Sequence, residues 1–209
     1  MNTRPALAPA NSARLWLNAN WPYAGLVAGC FYLAMLPLLR PVHTGFWSEA
    51  DLLLYLQLPI YILHQLEEHF HDRFRRYINR QLANGLEVLT PDSVTVINVV
   101  GIWCVDLFAI YAAGFGHRQW GLVAFYLALV NVLVHVAGAL RLRQYNPGLV
   151  TALFLLLPAS ALGAWLYSRQ YALSLRPHLE SLLFAVALHA AMVVHVLRRR
   201  AVLLRLGMR

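Results

Sequence analysis

Six long apolar segments, each followed by a short polar stretch, restrict what this sequence can fold into. The segments cover residues 21–39, 51–70, 94–115, 120–140, 149–167 and 179–197. A helix needs about 20 mainly apolar residues to cross the hydrocarbon core of a bilayer. Glycine or proline occurs in every stretch between the segments, where these residues favour turns and end helices. The pattern predicts an all-α, polytopic membrane helix bundle with about six transmembrane helices.

Composition supports this class and argues against a nucleic-acid-binding protein. The chain is 60% hydrophobic and 12% charged, whereas soluble domains carry about 25% charged residues. A net charge of +8 would suit a nucleic-acid partner, but the basic residues lie between the apolar segments. We therefore predict that the partner of the chain is the lipid bilayer and that it binds no nucleic acid.

The arginines predict the orientation of the bundle. All 17 basic residues are arginine, and four of them follow the first, third and fifth segments: Arg40, Arg118, Arg169 and Arg176. The others lie on the opposite side, which the positive-inside rule assigns to the cytoplasm. Both termini are therefore predicted to be cytoplasmic. The predicted domains are an N-terminal segment (1–20), a transmembrane domain (21–197) and a basic tail (198–209).

An acidic and histidine-rich stretch, HQLEEHF (64–70), ends the second apolar segment. At 100° per residue, a helix places His64, Glu67, Glu68 and His71 on one arc of about 100°, and points His69 the other way. Ionisable groups are costly inside a membrane unless they are paired, so each is a functional candidate.

Two adjacent carboxylates on one buried face repel each other unless a cation lies between them or one of them is protonated. Imidazoles beside carboxylates suit a divalent metal ion, and zinc and iron both accept these ligands. The alternative interpretation is a helix end in water, with both glutamates paired to Arg73, Arg75 or Arg76.

Polar residues of other segments fall at a similar depth in the predicted cytoplasmic half. Asn131 and His135 are four residues apart, so they share a helix face. His189, in the last segment, lies at a comparable depth and is a further candidate ligand. No role is assigned to three other polar residues of the apolar segments: Asn98, Asp106 and His195.

Two stretches resemble the HXXEE-domain family of small bacterial integral membrane proteins. They are HQLEEHF (64–70) and NVLVHVAGALRLRQYNPGLVTALFLLLP (131–158). The resemblance implies a location in the bacterial cytoplasmic (inner) membrane. It also implies a functional core of five residues: His64, Glu67, Glu68, Asn131 and His135.

One hypothesis for the chemistry is metal-dependent hydrolysis of a hydrophobic or lipid-like small molecule. The H-x-x-E-E spacing is that of the inverted zinc motif H-x-x-E-H with glutamate in the last position. His64, Glu68 and His135 would bind the metal and leave a position for water. Glu67 would be the catalytic base, and Asn131 would orient the substrate or stabilise an oxyanion.

Two alternatives use the same residues. Two histidines and one carboxylate also form the site of non-haem iron oxygenases. Addition of Glu67, His71 and His189 would allow a second ion, giving a mono- or di-iron oxidase, hydroxylase or desaturase. The remaining alternative is a non-catalytic metal-binding or transport protein, and each version allows a homo-oligomer.

Overall fold

The computed structural model describes the backbone of residues 9–42 and 48–208 and the side chains of residues 12–37 and 48–208. Over this part of the chain every regular element is helical, which confirms the predicted all-α bundle. One short helix, α3 (Arg73–Gln81), lies beside the bundle. The six long helices are α1 (Pro9–Val42), α2 (Glu49–His69), α4 (Pro91–Gly114), α5 (Arg118–Leu142), α6 (Leu149–Gln170) and α7 (Leu175–Arg205).

Four helices of the described chain, α4 to α7, are long and apolar enough to cross a membrane. Helix α2 has the length for a crossing, but four acidic side chains lower its hydropathy: Glu49, Asp51, Glu67 and Glu68. The four apolar helices are those of a membrane protein. Six crossings and cytoplasmic termini remain predictions.

The helices differ from the predicted segments mainly at the ends of the chain. Helix α1 begins at Pro9 and α7 continues to Arg205, so helical structure runs through the predicted domain boundaries at residues 20 and 197. The predicted first connection, 40–45, lies partly outside the described residues.

Helix α2 has a well-defined start and a sharp end. Ser48 and Asp51 form a capping box, in which each side chain bonds the backbone N–H of the other residue. The helix ends at His69, because His71 and Asp72 adopt positive φ angles of 52° and 61°. Such left-handed residues turn the chain away from the helix axis and direct it into α3.

The core of the bundle lies between α2, α5 and α6. Tyr61, Leu127 and Leu156 are buried together in it. Helices α5 and α6 approach closely at Gly163, where a Cβ atom would lie 2.2 Å from the Phe125 ring. Small residues at such crossings are typical of membrane helix packing. This packing brings the C-terminal halves of α2 and α5 against the N-terminus of α6.

Candidate metal centre

Three side chains from two helices meet near the C-terminal ends of α2 and α5. His64 and Glu68 lie one turn apart on α2, and His135 lies on the facing side of α5. Their exposures are 0%, 6% and 4%, and one potential ligand atom of each lies within 4.8 Å of the other two. This buried His/Glu group can hold a metal ion, and the predicted trio of ligands is therefore together in the fold.

The spacing of the ligand atoms is close to that of a tetrahedral ion. The Glu68 carboxylate lies 3.7 Å from His64 Nε2 through one oxygen and 3.6 Å from His135 Nε2 through the other. With bonds of about 2.1 Å, two ligands of a tetrahedral zinc ion lie about 3.4 Å apart. The distances from the two histidine nitrogens to Glu68 are therefore close to the separation of two ligands on one ion.

The protonation of His135 follows from its neighbour Asn146. The Asn146 Nδ2 group donates to the backbone carbonyl of His135 at 2.9 Å, so its Oδ1 atom is the one that faces the imidazole. His135 Nδ1–H donates to that oxygen at 2.6 Å. In the neutral ring the Nε2 lone pair then points at Glu68, as a metal ligand requires.

His64 is held in the same way by Thr151. The Thr151 hydroxyl donates to the Glu67 carboxylate at 2.5 Å, so it can only accept from His64 Nδ1–H, which lies 2.9 Å away. The His64 Nε2 lone pair therefore faces the centre as well. This carboxylate–threonine–histidine chain fixes the tautomer of His64, as carboxylates bonded to metal-binding histidines do in known metal sites.

Asn131 completes the group from α5. Its Nδ2 atom lies 2.8 Å from His64 Nε2 and donates to that lone pair. The sequence predicted Asn131 and His135 on one helix face, and the structure brings both residues next to His64 and Glu68 of α2.

Glu67 lies at the centre's edge and faces the N-terminus of α6. Its carboxylate accepts hydrogen bonds from the Tyr145 hydroxyl at 2.6 Å and from the Thr151 backbone N–H at 2.7 Å. A helix N-terminus stabilises an anion through its free N–H groups. The pKa of Tyr145, in the loop before α6, is raised to about 12 by burial and then by its bond to Glu67. Glu67 therefore tethers α2 to α6, and the structure does not place it in the group of ligand atoms.

The turn Tyr145–Gly148 covers both imidazoles. Gly148 has a φ angle of 96°, and a Cβ atom there would lie 2.7 Å from His135 Cε1 and 2.8 Å from His64 Cε1. Only glycine combines this backbone conformation with such a close approach. The turn therefore packs directly against the two imidazoles.

Besides Glu67, two more predicted ligands are not brought into the group. His71 follows the end of α2, where its positive φ angle places an exposed ring against Phe70. The prediction assumed that the helix continues through residue 71. His189 is buried, but its Nδ1 atom donates to the carbonyl of Ala185 on its own helix at 2.8 Å. Over the described residues the group of possible ligands is His64, Glu68 and His135.

Sequence reasoning missed the residues that hold the ligands in place. Thr151, Asn146 and Gly148 are small or polar residues of a turn and a helix start, and their side chains carry no periodic signal. The Y-N-P-G turn was visible, but its contact with two distant helices was not. His69 was also missed: its Nε2 atom lies 3.2 Å from Glu68 Oε2, and its ring packs edge-on against Trp21.

A cavity of about 780 Å³ lies between α1, the end of α2 and the start of α4. Trp21, Tyr23 and His69 line it together with the paired side chains of Arg14 and Asp92. Because His69 contacts Glu68, this cavity ends one side chain away from the metal group.

Comparison with known proteins supplies one match. Residues 55–163 match the family described as "Protein of unknown function with HXXEE motif", which covers more than half of the 209-residue chain. No curated protein and no solved structure is similar enough to count as a match. The matched range contains His64, Glu68 and His135 and the turn that covers them. The chain belongs to the HXXEE family, and the motif that names the family supplies two of the three side chains that can hold a metal.

Proposed function

We propose that this protein is a metal-dependent membrane enzyme that binds one divalent ion through His64, Glu68 and His135. Its substrate is a hydrophobic or lipid-like small molecule, and its reaction is hydrolysis. The ion would polarise an ester, amide or phosphoester oxygen and lower the pKa of a bound water toward about 7. The protein would supply the ligands, their orientation and a dry environment.

One observation carries the proposal: two imidazole lone pairs of fixed tautomer face a single buried carboxylate. Three electron-rich atoms that face one position repel each other unless a proton or a metal ion lies between them. Among the described residues, no arginine lies in ion-pair contact with Glu68. A divalent ion is the partner that satisfies all three atoms at once.

The geometry favours one ion over two. A two-metal site needs further ligands, and the candidates were Glu67, His71 and His189. The Glu67 carboxylate bonds the N-terminus of α6, and His71 lies beyond the end of α2. Over the described residues, the ligand atoms that lie within 4.8 Å of one another belong to His64, Glu68 and His135, without His189. We therefore propose a mononuclear centre.

Two imidazoles and one carboxylate, with no strong protein ligand at the fourth position, support catalysis over a purely structural role. Structural zinc sites are filled by four protein ligands, whereas catalytic sites keep a position for water or substrate. The contacts of Glu67 support a positioning role for this residue in place of the predicted role of base. Through Thr151 it keeps the Nδ1 proton of His64 in place.

The cavity beside His69 supports a small-molecule substrate. Its volume of about 780 Å³ lies within the usual range of about 300–1,000 Å³ for ligand pockets. Trp21 and Tyr23 offer an apolar wall, and the Arg14–Asp92 pair marks a polar rim. Such a lining suits a molecule with an apolar body and a polar head.

Metal analysis of the full chain, purified in detergent without chelators, tests the proposal. We expect about one zinc ion per chain, lost in His64→Ala and in His135→Ala. The matched control is His178→Ala, because His178 bonds Tyr126 and Ser168 away from the group. It should keep the metal.

A purified protein that contains no metal, and that binds none of Zn²⁺, Fe²⁺ and Mn²⁺, would refute the proposal. Stoichiometric iron with an oxygen-dependent absorption band would retain the centre and replace hydrolysis by oxidation, since the same three ligands bind non-haem iron.

A further inference from the structure

The four polar side chains of the centre form two matched pairs across α2 and α5. Each helix contributes one nitrogen-bearing and one oxygen-bearing side chain, four residues apart. His64 faces Asn131 at 2.8 Å, and Glu68 faces His135 at 3.6 Å. Because the pairs follow the same order along both helices, the helices run in the same direction here. Asn131 therefore occupies the fourth corner of the arrangement.

The present contact of Asn131 is incompatible with a metal on His64. Its Nδ2–H donates to the same Nε2 lone pair that an ion would use. The opposite nitrogen of the ring is already committed to Thr151. Metal binding to His64 therefore requires the Asn131 amide to move.

The Asn131 amide is free to turn in place. Within the described residues its side chain makes one hydrogen bond, to His64. The amides of Asn146 and Gln65 are each held at both ends, by His135 in the first case and by Asn98 and Trp103 in the second. A half-turn about the last side-chain bond exchanges nitrogen for oxygen with little other change.

We propose that Asn131 is the fourth ligand of the resting metal centre and binds the ion through its carbonyl oxygen, Oδ1. This inference rests on the proposed function. Amide carbonyls are weaker ligands than imidazole or carboxylate, so this one is the ligand that a substrate oxygen displaces. Asn131 is also the most exposed of the four, since the other three side chains are buried. The open position for chemistry is therefore created when substrate releases Asn131.

The test uses full chain in detergent, stripped of metal and titrated with Co²⁺ and Mn²⁺. Co²⁺ reports ligand geometry through its visible absorption, and water proton relaxation counts the exchangeable waters on Mn²⁺. The variants are Asn131→Ala and the conservative Asn131→Asp. The matched control, Gln65→Ala, removes a buried interhelical amide on another face of α2.

We expect Asn131→Ala to bind Co²⁺ at least about tenfold more weakly, which is the lower range for a lost metal-site partner. Its bound ion should carry one more exchangeable water than the wild type, and its visible spectrum should change. Asn131→Asp restores an oxygen ligand and should return both signals toward the wild type. Gln65→Ala should leave the spectrum and the water count unchanged.

Three results are decisive. If Asn131→Ala keeps the wild-type spectrum and water count while His64→Ala abolishes binding, the centre stands and this inference is wrong. If the wild type binds no ion, the proposed function itself fails. If water is gained only in Asn131→Ala, the inference holds.

A measurement on the wild type removes any dependence on how the variants fold. Asparagine labelled with ¹³C at the side-chain carbonyl shifts the infrared band of that group. Addition of Zn²⁺ to the stripped, labelled chain should give a difference band from an asparagine carbonyl, and the band should be absent in Asn131→Asp. A zinc difference spectrum with no asparagine contribution would overturn the inference.

Discussion

Helix α2 carries a carboxylate near each end, partly buried at Asp51 and buried at Glu68, and the two have different partners. Asp51, at the N-terminal end, accepts from Tyr171 at 2.6 Å and from Arg118 at 3.4 Å. The backbone N–H of Ser48 donates to the same carboxylate at 3.1 Å. Glu68, at the other end, faces three imidazoles and, over the described chain, no arginine.

The difference shows where the protein supplies its own countercharge and where it does not. Arginine is always cationic, so the Asp51 network is complete without any ligand. Thr151 and Asn146 accept the Nδ1 protons of His64 and His135, so in the neutral rings the Nε2 lone pairs face Glu68. One end of α2 is therefore a complete structural contact, and the other is a buried His/Glu group that can hold a metal ion.

Amide replacements at the two carboxylates should have opposite effects, and this is the largest effect we expect. Glu68→Gln should abolish stoichiometric metal binding without destabilising the metal-free chain, because in the described chain no arginine pairs with this buried carboxylate. Asp51→Asn should keep the metal and lose about 1–3 kcal/mol, because it weakens bonds to three donors.

Metal content and thermal unfolding by circular dichroism measure both outcomes in parallel. Retention of metal by Glu68→Gln, or its loss in Asp51→Asn, would remove the distinction between the two ends.

The next effect concerns the turn that covers the imidazoles at the Glu68 end. Gly148→Ala would place a Cβ atom 2.7 Å from the His135 ring, and we expect metal affinity to fall by about 100-fold or more. Gly85→Ala is the matched control, because Gly85 has a similar φ of 90° and no neighbour within 4 Å of a Cβ atom. Both variants share the cost of a left-handed alanine, about 1–2 kcal/mol. Equal metal affinities in the two would show that the turn does not shape the site.

The sequence was sufficient for the bundle and for the three residues of the group that can hold a metal ion. Apolar segments of membrane length can only be helices in lipid, because each backbone group must be satisfied within its own segment. His64, Glu68 and His135 were found from helical spacing and a shared depth. Helical spacing and depth along a helix depend on residues that are close in sequence, so tertiary packing does not change them.

The remaining site could not be read from the sequence for two physical reasons. His71 was expected on the ligand face, but left-handed residues ended α2 first, and nothing in the apolar pattern marks that point. Glu67 lies on the predicted arc, yet the N-terminus of α6 attracts its carboxylate. That attraction depends on where a distant helix begins, which is a property of the tertiary fold.

A smaller effect should separate the hydroxyl of Thr151 from its shape. Thr151→Val keeps the volume and removes the link between Glu67 and His64, so we expect metal affinity to fall by about 10–100-fold. Thr151→Ser keeps the hydroxyl and should bind within a few-fold of the wild type. Isothermal titration of stripped chain with Zn²⁺ measures both. A valine variant with wild-type affinity would show that the tautomer of His64 needs no help from Glu67.

The smallest effect is expected at Tyr145, one of several donors to Glu67. Tyr145→Phe leaves the Thr151 N–H and hydroxyl on the carboxylate, so the loss should be about 0.5–1.5 kcal/mol, with metal affinity within a few-fold of the wild type. Burial and Glu67 raise the pKa of Tyr145 to about 12, above the value of about 10 for an unfolded tyrosine.

The neutral phenol therefore stabilises the fold fully below about pH 10, and this contribution declines as the pH rises toward about 12. Wild type should lose its stability advantage over Tyr145→Phe across that interval, in thermal unfolding at successive pH values. Tyr171, which bonds Asp51, could also lose its proton in this interval. Wild type and Tyr145→Phe must therefore be compared with each other at each pH. A difference that stays constant from pH 9 to about 12 would mean that the Tyr145 hydroxyl does not bond Glu67, and the tether between α2 and α6 would then rest on Thr151 and the Val150 N–H.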